Sequence, residues 1–168
     1  TEPSGGSNTA RFTAVLDSEP SSGTVVIDVS SGTTGQATVS PSSLTFTVGN
    51  WDSTQTVTVT GVDNDVDGSN AGSTVTLAVN DDSTADANYD ALSDQTVAAA
   101  LTDNDTAGFT KSTSSVTVTE PSGGSNTARF TAVLDSEPSS GTVGIDVSSG
   151  TTGQATVSPA SLTFTCFL

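Results

Sequence analysis

The chain has 168 residues, room for one or two small domains, and its 19 acidic against three basic residues give a formal net charge of −16. Arg11, Lys111 and Arg129 are the only cations, which excludes electrostatic capture of nucleic acid or of an anionic membrane, because almost nothing is available to displace phosphate counterions. The natural electrostatic partners of such a chain are cations. A lone cysteine, Cys166, excludes a disulfide framework, no stretch is long and apolar enough to span a bilayer, and no secretory leader is legible.

Short runs of alternating apolar and polar residues, separated by Gly, Pro, Asn and Asp, predict an all-β chain. The first run, Ala10 to Leu16, presents Phe12, Ala14 and Leu16 to one face and Arg11, Thr13 and Val15 to the other. Thr24 to Val29 offers Val25, Ile27 and Val29 inward, which turns Val26 outward. Leu44 to Val48 follows, then Thr54 to Thr60 with Val57 and Val59 inward. Thr74 to Val79 offers Val75, Leu77 and Val79, and Gln95 to Leu101 offers Val97, Ala99 and Leu101. A further strand is predicted at Ser115 to Thr119, with Val116 and Val118 on one face. Trp51 and Tyr89 are read as anchors at the edge of the core. No segment of useful length has helical periodicity. Seven or so short antiparallel strands fit an immunoglobulin-like β-sandwich.

The sequence also repeats itself. Residues 1–50 return at 119–168 with an offset of 118 and only five differences, at Val26/Gly144, Ser42/Ala160 and the last three positions. A period of that length suits a whole domain rather than a solenoid unit. The natural frame starts near Ala107. Residues 1–106 are therefore expected to form a module lacking most of its first strand, and residues 107–168 the first half of the next module. No Pro-rich or Gly/Ser-rich linker separates them, so neighbouring modules are expected nearly to touch. Near-identical neighbours suit a protein whose working property is length, stiffness or avidity.

Two acidic runs stand where strands stop: Asp63-Asn64-Asp65-Val66-Asp67-Gly68 and Asp103-Asn104-Asp105. Both place oxygen donors at alternate positions in a loop, the chemistry a calcium ion takes from carboxylates, Asn side chains and backbone carbonyls. The first run echoes a helical D-x-D-x-D-G calcium loop, but Thr74 stands where that loop needs Glu, and no helices are predicted beside it. Catalysis is not expected. The chain has no His, its Cys lies in a divergent ending, and its carboxylates all fall in turn sequences. Ser4-Gly5-Gly6-Ser7 lacks the helix and lysine of a phosphate-binding loop. The Thr-x-Thr strand from Thr54 to Thr60 is ordinary outward-facing sheet surface.

Val116-Thr117-Val118-Thr119-Glu120, followed by Ala128-Arg129-Phe130, resembles the start of a Calx-β domain. Leu44-Thr45-Phe46, Gln55 to Val59, Asp63-Asn64-Asp65 and Val97 to Asp105 continue that pattern in order. The chain is also similar to the repetitive modules of large bacterial extracellular surface proteins of the adhesin type. The resemblance implies calcium held at one end of the sandwich by Glu2, Asp63, Asp65, Asp67, Asp103 and Asp105, with the Val66 carbonyl as a further donor and Glu120 as the equivalent of Glu2 in the second copy. Asn64 and Asn104 stand where the family has carboxylates, and Ser31 replaces an acidic residue before Gly32-Thr33, so fewer charges face any ion. The functional expectation is a structural repeat of an extracellular stalk, adhesin or filament at a cell surface, stiffened by calcium at the junctions between modules. Its partners are then neighbouring identical modules and other copies in a filament. The alternatives are an adhesive module for glycan or protein, or a fibre subunit completed by strand donation.

Overall fold

A computed structural model describes residues 8–68, 72–120 and 126–166. The chain divides into two compact units, Thr1–Asn64 with Asn70–Asn104, and Asp65–Ser69 with Asp105–Leu168.

Among its described residues the first unit holds seven strands: β1 (Thr9–Ala14), β2 (Thr24–Ser31), β3 (Ala37–Ser40), β4 (Ser43–Thr47), β5 (Gln55–Gly61), β6 (Ser73–Val79) and β7 (Gln95–Ala99), with one short helix, α1 (Ala87–Asp90), before β7. They form a three-stranded sheet, β1-β5-β3, and a four-stranded sheet, β4-β2-β6-β7, with every pair antiparallel. The chain changes sheet at every connection from β1 to β6, and only β6 and β7 are consecutive neighbours. Alternation explains the layering. Val57 and Val59 of β5 and Ala37 of β3 meet Val25 and Val29 of β2, Leu44 and Phe46 of β4, and Val75 of β6 in one buried cluster, making a β-sandwich. The opposite face of the three-stranded sheet carries Thr9, Arg11 and Thr13 beside Thr60, Thr58 and Thr56, a polar surface.

Two buried hydroxyls of this unit are hydrogen-bonded within it. Ser73 Oγ lies 2.8 Å from Ser31 Oγ and accepts from Thr33 N at 3.1 Å. Thr84 Oγ1 accepts from Val26 N at 3.1 Å and donates to Val26 O at 3.3 Å, so one side chain serves Val26 as a neighbouring strand would. Val26 is accordingly half-buried, on the face opposite Val25. Gly23 turns into β2 with φ +65, and a Cβ there would meet Ala85 Cβ at 2.5 Å, so the close approach of these two loops requires glycine.

Among its described residues the second unit has four short strands: β8 (Phe109–Lys111) paired with β9 (Ala132–Leu134), and β10 (Thr142–Asp146) paired with β11 (Ser161–Thr165). β10 and β11 pair in the register of β2 and β4 shifted by 118: Thr24 faces Thr47, and Thr142 faces Thr165. The turns agree too, with Gly141 at φ +65 and cis bonds at both Ser40-Pro41 and Ser158-Pro159. β1 and β3 do not recur. Residues 127–131 and 155–158 repeat their sequences without forming strands, and Ala155 is exposed where Ala37 is buried. Among the described residues, β1 and β3 have β5 as their only sheet neighbour, and the 168 residues hold no second copy of β5.

Three expectations differ from this arrangement. Ser115 to Thr119 is not a strand; it has no sheet partner among the described residues, and Val116 and Val118 are exposed. β3 and α1 were not foreseen, since β3 is only four residues long and α1 a single turn. Tyr89 is fully in the core cluster, whereas Trp51 packs at its edge as expected.

Phe46 is completely buried and Phe164, its repeat equivalent, only half-buried. Phe46→Ala should destabilise the first unit by about 3–5 kcal/mol, the usual loss for a core aromatic. Phe164→Ala should cost clearly less. Urea unfolding of both variants, followed by Trp51 fluorescence and by amide exchange in β10–β11, measures the two losses separately.

Candidate functional site

The acidic runs begin where the apolar alternation of β5 and β7 stops and Asp and Asn take over, residues that favour turns and leave the sheet ladder. The two runs have opposite phase. Asp63, Asp65 and Asp67 are exposed while Val62, Asn64 and Val66 between them are half-buried; Asp103 and Asp105 are half-buried while Thr102, Asn104 and Thr106 are exposed. Both runs fall on the division of the chain, with Asp63 and Asp103 in the first unit and Asp65, Val66, Asp67, Asp105 and Glu120 in the second.

Within the second unit the Asp65 carbonyl accepts from Glu137 N at 2.5 Å, and Asp67 Oδ2 accepts from Ala107 N at 2.8 Å. Asp135 joins the same neighbourhood: its Oδ1 accepts from Thr110 Oγ1 at 2.8 Å, and its N–H donates to the Gly108 carbonyl at 2.9 Å. Asp65, Asp135 and Glu137 line an open depression of about 520 Å³ with Pro138 and Phe164. Asp135 and Glu137 were not singled out in the sequence, because Asp-Ser-Glu-Pro reads as an ordinary turn. Glu120 is exposed. Glu2 lies outside the described residues.

The donors in these runs are all hard oxygens, which suits calcium. Among the described residues, however, no three carboxylates are grouped closely enough to hold a metal ion.

One acid is already fully employed. Asp86 is buried at the N-cap of α1, where it accepts from Asn88 N at 2.9 Å, from Ser21 N at 2.5 Å and from Ser21 Oγ at 2.8 Å. Tyr89, one turn on, donates its hydroxyl to the Ser18 carbonyl at 2.5 Å. These bonds pin the loop before β2 onto the segment before β7. The legible signal was an Asp three residues ahead of a lone Tyr.

The chain matches no family model, no curated protein and no solved structure.

The Asn88 backbone N–H, then the Ser21 hydroxyl, holds the Asp86 carboxyl below its ordinary value of 3.8. A carboxyl lowered in the folded state stabilises above its unfolded value and loses that contribution as pH falls through the folded one. Asp86→Ala should therefore lower the melting temperature at neutral pH, and its gap from the parent chain should narrow as pH falls below about 4. Thermal unfolding across pH 2–7 checks the sign.

Proposed function

We propose that this chain is a structural repeat of an extracellular stalk, adhesin or filament, built from immunoglobulin-like sandwiches of the Calx-β type, with calcium taken up by the acidic runs. The observation that carries the structural part is the near-identity of the two copies, with 45 of 50 aligned positions the same. Substrate sites diverge readily between duplicated units; a surface used for spacing or repeated presentation has reason to stay uniform. Support also comes from β10–β11, which repeats the β2–β4 register in spite of the Val26/Gly144 and Ser42/Ala160 differences. Val26 lies away from the core-facing side chains of its strand, so the glycine removes no core residue.

The calcium part rests on donor chemistry and charge. A net charge of −16 opposes compaction, and Asp63, Asp65 and Asp67 hold three carboxylates within five residues. A divalent ion bound there lowers that repulsion and stabilises the folded state by mass action. The setting that follows is a calcium-rich, extracellular one at a bacterial cell surface.

Calcium should raise the melting temperature of the EDTA-treated chain at fixed ionic strength, magnesium should do so less, and Asp63→Asn/Asp65→Asn/Asp67→Asn should abolish most of the rise. Differential scanning calorimetry with parallel titration calorimetry measures this. A melting temperature indifferent to calcium would remove the metal from the proposal and leave the structural repeat standing.

A further inference from the structure

Asp67-Gly68 is the one place in the sequence where glycine follows an aspartate, and no glycine follows an asparagine. Both residues are exposed, in the connection that leaves β5 at Gly61 and enters β6 at Ser73. Gly68 has φ +87, and a Cβ built there would meet nothing within 4 Å. Packing therefore leaves room for a side chain, and it is the left-handed backbone that calls for glycine. That choice has a chemical consequence. A side chain on the residue after an aspartate shields its own peptide nitrogen from the carboxyl behind it, and glycine offers no such shield. The other exposed aspartates are better protected: Asp65 precedes the β-branched Val66, and Asp52 and Asp135 precede serine. Asp28 is held in the paired strand β2, and Asp86 is buried in its cap.

We propose that Asp67-Gly68 is a site of spontaneous covalent modification, succinimide formation followed by rearrangement to isoaspartate, with water as the only co-reactant. From the acid form of Asp67, the Gly68 peptide nitrogen attacks Cγ. The N–Cγ bond forms, the bond from Cγ to the hydroxyl oxygen breaks, and that hydroxyl leaves as water with the amide hydrogen. Water then reopens the ring. Opening at Cγ restores aspartate; opening at the Asp67 main-chain carbonyl routes the chain through Cβ and Cγ. Nothing is oxidised or reduced, and the product has the mass of the starting chain. Its effect falls on the second unit, where Asp67 Oδ2 accepts from Ala107 N at 2.8 Å. In isoaspartate Cγ is a main-chain amide carbon, the backbone is longer by a methylene, and the carboxylate sits on the former main-chain carbon. The charged acceptor of the Ala107 N–H is then lost.

This inference rests neither on the stalk reading nor on calcium, so the full chain is aged in warm neutral buffer containing EDTA. An endopeptidase that cuts before aspartate but not before isoaspartate should cut progressively less at Asp67, while cleavage at Asp52 and Asp65 persists. The uncut peptide should keep its mass, and electron-transfer fragmentation should place the rearranged residue at position 67. Amide exchange at Ala107 should quicken in proportion to the isoaspartate formed. Asp67→Glu keeps the carboxylate at an exposed position, so the variant folds, checked by circular dichroism. Its extra methylene demands a larger ring, and the aged variant should yield no isomeric peptide. Undiminished cleavage at Asp67 after the full incubation would overturn the proposal, as would isoaspartate appearing first at another aspartate. Isoaspartate at position 67 with unchanged exchange at Ala107 would overturn its effect on the second unit.

Discussion

β5 satisfies two strands at once. Its edges supply the backbone partners of β1 and β3, and Val57 and Val59 supply the apolar surface against which Phe12 and Ala37 pack. The two copies separate this influence from local sequence. Thr-Ala-Arg-Phe-Thr is strand at 9–13 and irregular at 127–131, with Phe130 exposed; Ala-Thr-Val-Ser is strand at 37–40 and irregular at 155–158. β2 and β4 pair with each other, and that pairing recurs as β10 and β11 in the same register. Strand propensity here is permission, and a neighbour's edge and apolar face decide whether it is used.

That dependence explains what could be read from the chain alone. Strands with strong alternation around Val and Ile were legible with their inward faces, because burial on one side imposes a period of two. Val25, Val29, Val57, Val59 and Val75 were all placed correctly in the core. β3 was missed because a single Ala-Thr-Val-Ser step is too short to display a period, and it forms only across from β5. Ser115 to Thr119 failed in the other direction, with a clear period and no sheet partner among the described residues. For the acidic runs, composition and position at strand ends were legible, but phase was not. Whether the odd or the even residues face outward depends on how each strand leaves its sheet, which neither run encodes.

The acids also divide by what they do. Asp86 converts its charge into three hydrogen bonds that tie two loops together, and it needs no ion. Asp67 and Asp135 each accept one hydrogen bond in the second unit, while Asp63 and Asp65 are exposed at the surface. An exposed carboxylate costs little in water but adds to the self-repulsion of a chain that has 19 acids and three bases. Repulsion of that size acts on every compact form, and it weakens as the ionic strength of the surroundings rises.

Phe12, Val97, Ala99 and Leu101 are among the partly buried members of the core periphery. Val116 and Val118 carry the same alternation as the paired strands and are exposed. The alternation read from the sequence at Ser115 to Thr119 is thus a statement of propensity, because a period of two says which side chains share a face and not whether an edge and an apolar surface receive them.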